Sequence, residues 1–131
     1  MIKITVVGNM VNDPVLRFTN SGMAVCDFTV ADNYKSNKDA EDQVSFIEVT
    51  LWGTLAENFS ESLHKGQRVI VEGRLQQQNW ETDDGQKRSK LKLIADGAGP
   101  DLRFQKASVT NVGKRESVVR DPRSSKFEDP F

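Results

Sequence analysis

The chain has 131 residues, which fits one domain with a single core plus some tail. A formal net charge of -1 excludes strong long-range attraction to a polyanion, so any such binding must use local basic patches. Cys26 is the only cysteine, which excludes an intrachain disulfide and a multi-cysteine zinc site. No apolar run is long enough for a membrane span and no leader pattern signals export, so a cytoplasmic setting is expected.

Residues 2–9 (IKITVVGN) alternate as a strand, with Ile2, Ile4 and Val6 on one face and Lys3 and Thr5 on the other. Asn12, Asp13 and Pro14 break it, because proline has no backbone donor and asparagine and aspartate favour turns. Residues 15–19 extend again, and Asn20, Ser21 and Gly22 turn the chain into a hairpin partner at 23–31. There Cys26, Phe28 and Val30 alternate with Asp27 and Thr29, so Cys26 reads as a buried, inert thiol. Residues 32–43 are polar and without period, and read as a long exposed loop with Tyr34 at its root and Lys35 and Lys38 along it.

Residues 44–52 (VSFIEVTLW) form the next strand. Ile47, Val49 and Leu51 make its core face, which leaves Phe46, Glu48, Thr50 and Trp52 on the polar side. Two large aromatics on that side lie about 20 Å apart at the usual strand rise. Either a second sheet, a loop or a subunit covers them, or they form a platform on which flat groups such as nucleobases stack.

The period then turns helical. Leu55, Phe59 and Leu63 fall on one face, Thr54 and Glu57 have the spacing of a capping box, and Lys65 and Gly66 supply a stop. Residues 68–75 (RVIVEGRL) and 89–95 (SKLKLIA) pair as a hairpin across a tip at Asp83, Asp84 and Gly85. Val69, Val71 and Leu75 face one way, and Glu72, Arg74, Gln76, Gln78 and Trp80 the other. On the return strand Leu91, Leu93 and Ala95 are apolar, and Arg88, Lys90 and Lys92 form a basic row beside Trp80. Residues 97–100 read as a break and 102–109 as one more short strand, with Leu102, Phe104 and Lys106 on one face. Beyond residue 112 the apolar period disappears, and a flexible tail is expected.

Strands, one helix, then a long hairpin suit an all-β fold: a five-stranded Greek-key barrel of the oligonucleotide-binding (OB) type. The helix then lies between strands 3 and 4, a long β-hairpin follows strand 4, and an extra C-terminal strand closes the series. The expected division is a folded domain at 1–111 and a tail at 112–131.

Several spaced motifs point to one family. VVGN followed by DP at 6–14, LRFTNSG at 16–22, VTLWGTLAEN at 49–58, KGQRVIVEGRL at 65–75, and W followed by DGQKR at 80–88 together resemble the bacterial single-stranded DNA-binding proteins. GPDLRF at 99–104 is similar to the actinobacterial branch, where a strand after the barrel is associated with clamping neighbouring subunits. The resemblance implies sequence-independent binding and protection of single-stranded DNA by a cytoplasmic, nucleoid-associated homotetramer acting in replication, recombination and repair. It implies stacking by Tyr34, Phe46, Trp52 and Trp80, and a basic contact by Arg17. Lys35, Arg74, Lys87, Arg88 and Lys90 are added from position and charge. Many relatives are basic just before the hairpin tryptophan, where this chain has Gln76, Gln77, Gln78 and Asn79. Stacking should therefore dominate in this near-neutral chain.

The tail ends in Phe127, Glu128, Asp129, Pro130 and Phe131, which keeps the family's acidic-Pro-Phe form on a shorter linker. The resemblance implies that this end recruits replication and repair enzymes. A catalytic constellation is absent from the sequence: His64 is the only histidine and reads as a partner of the helix C-terminal dipole, and Glu57 is taken up by the cap. No enzyme activity, cofactor or metal is expected. The alternative function is a protein-interaction module of a replication-restart assembly built on the same barrel.

Overall fold

The computed structural model of the protein describes residues 1–34 and 43–112. Six strands and one helix follow in the order β1 (Ile2–Met10), β2 (Val15–Phe18), β3 (Ala24–Tyr34), β4 (Gln43–Trp52), α1 (Thr54–Ser62), β5 (Arg68–Glu81) and β6 (Lys87–Pro100). The strands run β1-β5-β6-β4-β3-β2 across the sheet, and a further β1–β3 pairing closes it. Five strands thus make the barrel, β2 adds a short hairpin arm to β3, and the β4–β6 contact is parallel. This is the Greek-key barrel expected from the sequence, with the helix between its third and fourth barrel strands. Among the described residues no helix is long and apolar enough to cross a membrane.

Alternation decides what goes inside. Cys26, Phe28 and Val30 of β3, Val49 and Leu51 of β4, Val69 and Val71 of β5, and Leu93 and Ala95 of β6 are all buried. The helix closes one side of this core with Ala56, Phe59 and Leu63. The Phe59 ring stacks on Phe28 with centroids 4.7 Å apart and an interplanar angle of 11°. Ala56 is fully buried although it lay outside the Leu55, Phe59, Leu63 stripe; a methyl group lets the helix settle close to the sheet. Ile2 and Leu91 share the core parity but remain 61% and 51% exposed, because both lie at the barrel rim where no facing strand covers them.

Four local expectations are corrected. The capping box does not form: Gly53, at φ 70°, is the N-cap, so Thr54 already lies inside the helix and no side chain caps it. The positive φ turns the chain sharply out of β4, a conformation that glycine adopts without a Cβ clash. The loop expected at 32–43 is shorter at both ends, because Asp32, Asn33 and Tyr34 pair with Ser45, Val44 and Gln43. Both faces of the ladder are wet there, so hydrophobic alternation gives no signal; residues 35–42 lie outside the described residues.

The expected break at 97–100 is also strand. Gly97, Ala98, Gly99 and Pro100 pair with Glu72, Val71, Ile70 and Val69 after a register shift that leaves Asp96 unmatched, a β-bulge. Gly73 sits at that bulge, and a Cβ there would lie 2.1 Å from the Ile94 carbonyl oxygen. Finally, the extra strand at 102–109 is not formed among the described residues. The chain is instead tied down as a turn. Arg68 Nε donates to Asp101 Oδ2 at 2.7 Å, and Gln105 Nε2 donates to the carbonyls of Arg68 and Asp101 at 2.8 Å each. The Arg68 hydrogen bond holds the Asp101 carboxyl below its usual pKa.

Candidate nucleic-acid interface

The outward side chains of β2, β3, β4, β6 and β5 form one continuous surface, because the ladder registers place same-parity residues in rows. One row runs Arg17, Val25, Trp52, in which Val25 is itself covered and only 3% exposed. The next runs Val15, Asp27, Thr50, Ile94, Arg74, Lys3 across the whole sheet. The third contains Thr29, Glu48, Lys92 and Gln76, and Phe46 lies one row further, beside Ala31.

Three of the four aromatics expected to stack have described side chains on this face. Phe46 is 65% exposed, Trp52 46% and Trp80 47%, so none of them fills the core. Tyr34 closes the β3–β4 ladder opposite Gln43. Trp80 projects from the part of the β5–β6 hairpin beyond the barrel, opposite Arg88. Lys90 Nζ stands 5.9 Å from the centre of its ring, within reach of a cation–π attraction. Two open depressions flank the indole, one lined by Asn79, Glu81, Lys87, Arg88 and Ser89, the other by Gln76, Gln77, Gln78 and Lys90. A flat ring laid in either would meet an aromatic face with cations at its edge.

The other cations divide by position. Lys87 closes the hairpin opposite Glu81, and Arg88 Nη2 donates to Gln86 Oε1 at 2.9 Å. Arg74 is exposed in the Thr50 row, next to Lys3. Arg17 makes an ion pair with Asp27. Lys35 and the end at Phe127, Glu128, Asp129, Pro130 and Phe131 lie outside the described residues.

Sequence reasoning missed the polar network at the centre of this face. Thr50, placed on the exposed side by parity, is only 4% exposed, and its hydroxyl donates to Asp27 Oδ1 at 2.6 Å. Lys92 Nζ lies 3.9 Å from the same oxygen. Partial burial pushes the Asp27 pKa up, but the Thr50 and Arg17 hydrogen bonds and the Lys92 and Arg17 charges outweigh it, leaving the carboxyl below its ordinary value. The available signal was an aspartate alternating with Cys26 and Phe28 in a strand, which strand propensity disfavours. The same setting pushes the Cys26 thiol up to about 11, first by burial and then by the Asp27 charge, so the buried, inert reading of this cysteine agrees with its place in the core.

Comparison with known proteins accords with this surface. Residues 1–105 match the single-strand binding protein family. A protein of Corynebacterium glutamicum named single-stranded DNA-binding protein is 50% identical, over 81% of this chain and 49% of its own length. Proteins of the same name from Paenarthrobacter aurescens and Mycolicibacterium smegmatis are 42% and 43% identical, over 87% and 85% of this chain and 70% of their own length in each case. The chain thus spans about half the length of the first of these relatives. It belongs to the single-strand binding protein family, whose members are DNA-binding proteins and not enzymes.

Proposed function

We propose that the chain binds single-stranded DNA without sequence preference, by stacking bases on Phe46, Trp52, Trp80 and Tyr34. Arg17, Lys35, Arg74, Lys87, Arg88 and Lys90 are the candidate phosphate contacts. The observation that carries the reading is three large aromatics, each about half exposed or more, on the outward face of the sheet and its hairpin, with Lys90 near the Trp80 ring. Stacking contributes about 1–3 kcal/mol per base and accepts any base, since every base has a π face. Stacking of this kind needs bases whose faces are free, and a duplex keeps its base faces stacked inside the helix, which favours single strands. Titration with oligo-dT, and with a duplex of equal length, tests this. Tight binding of oligo-dT and weak binding of duplex is expected. Binding of neither would favour the protein-interaction module instead.

Assembly as a homotetramer is part of the proposal. β1 pairs along Ile2–Asn9 with β5 but meets β3 only at Asn9 and Met10, so most of its second edge is open to another strand. Leu102 and Phe104, 58% and 78% exposed, are apolar groups that a neighbouring subunit would cover.

Residues 1–111 serve in this reading as the binding domain, and 112–131 as a tail that recruits replication, recombination and repair enzymes. Phe127 and Phe131 bracket Glu128, Asp129 and Pro130, a pattern that suits an apolar slot rimmed by Arg or Lys. Deleting residues 128–131 is expected to leave oligonucleotide affinity within a few-fold while abolishing pull-down of such enzymes from a lysate of the source cell. An unchanged pull-down would remove the recruiting role.

A further inference from the structure

Between the Trp52 row and the Phe46 row, each cation on β2 and β6 is already held by a carboxylate of the same face. Arg17 Nη2 donates to Asp27 Oδ2, and Lys92 Nζ approaches Asp27 Oδ1 at 3.9 Å. Lys90 Nζ donates to Glu48 Oε1 at 3.0 Å. Two acids therefore engage three bases along the path from Trp52 to Phe46. Asp27 is built in: its side chain is only 30% exposed and the Thr50 hydroxyl also donates to it. Glu48 projects from the same strand as both aromatics, at register with Lys92.

A phosphate passing over this strip meets ion pairs instead of free ammonium or guanidinium groups. To bind a phosphate there, a cation must leave its carboxylate, and the carboxylate left behind repels the phosphate. Little counterion release accompanies such an exchange, because little condensed charge is neutralised.

We propose that Asp27 and Glu48 set the affinity and salt dependence of the DNA-binding face by holding Arg17, Lys92 and Lys90 in internal ion pairs. A bound strand then engages the aromatics while its phosphates remain loosely held. Such a face grips bases and releases the backbone, which lets a strand exchange or shift without breaking many charge contacts at once. This inference rests on the stacking reading above and adds to it the residues that hold the electrostatic contribution low.

The test compares the parent, Glu48→Gln, Asp27→Asn and a control, Glu57→Gln on the exposed side of α1, for oligo-dT binding across a salt series. Each freed cation should steepen log affinity against log salt by about 0.7, so Glu48→Gln changes the slope by about 0.7 and Asp27→Asn by about 1.4. At 50 mM salt, with affinities matched near 1 M, that slope corresponds to about eight-fold tighter binding per freed cation. Glu48 lies at the surface, 46% exposed, so its variant remains informative if Asp27→Asn unfolds. A folded Glu48→Gln with the parent's slope overturns the proposal. So does an equal steepening in Glu57→Gln, which would assign the effect to net charge. Failure of the parent itself to bind oligo-dT would overturn the stacking reading, and this proposal with it; a binding parent with unaltered variants overturns only the proposal.

Discussion

Alanine at Trp52 or Trp80 is expected to weaken oligo-dT binding by about 1–3 kcal/mol each, roughly five- to 150-fold, while the protein stays folded. Both indoles are about half exposed, so truncation removes a stacking surface and leaves no sealed cavity. Trp52 sits on a barrel strand with a buried core face beneath it, and Trp80 on the hairpin with Lys90 near its ring. Equilibrium titration together with a thermal melt checks both variants. Intact affinity with a markedly lower melting temperature would mean that the indole is covered by another subunit and does not serve as a platform.

Phe59→Ala is expected to have the largest effect on stability, about 3–5 kcal/mol. The ring is 3% exposed and stacks on Phe28, which is itself 2% exposed, so the deletion opens a cavity where helix meets barrel. A domain of this size is stable by about 5–15 kcal/mol in total, so the variant should unfold at far lower urea concentration. Phe59→Leu, which refills part of the volume, should recover a portion of the loss. A midpoint within about 0.5 kcal/mol of the parent after urea titration would show that α1 does not close the core.

The barrel was legible because its strands are each covered on one side and wet on the other. Cys26-Phe28-Val30 and Val49-Leu51 announced β3 and β4 by parity alone, and the same parity put Phe46 and Trp52 outside. Apart from the ladder at Asp32–Tyr34, the misses share a cause: each was decided by a partner distant in sequence. Gly97 and Gly99 look like a break, yet pairing with Glu72 and Ile70 across the hairpin keeps them in the sheet. Leu102 and Phe104 alternate like a strand, but Asp101 and Gln105 bind Arg68 and bend the chain instead. Thr54 and Glu57 have capping-box spacing, but Gly53 donates its amide to the Ala24 carbonyl and takes the cap position first. The Asp27 network was hidden for the same reason, since Arg17, Thr50 and Lys92 reach it from three other strands.

The hairpin that carries Trp80 has a mechanical consequence. Ile2 opposite Leu75 and Glu48 opposite Lys92 are the last ladder contacts the barrel makes with β5 and β6; from Gln77 to Glu81 the two strands pair only with each other. A two-stranded ribbon free of a third strand is marginal in water and twists easily. Trp52 is a fixed post and Trp80 rides on a spring, its pivot about 15–20 Å back along the strand. The distance between the two can therefore stretch and shrink. Base spacing along an unpaired strand is not constant, and a sprung second post can follow it without asking the barrel to deform.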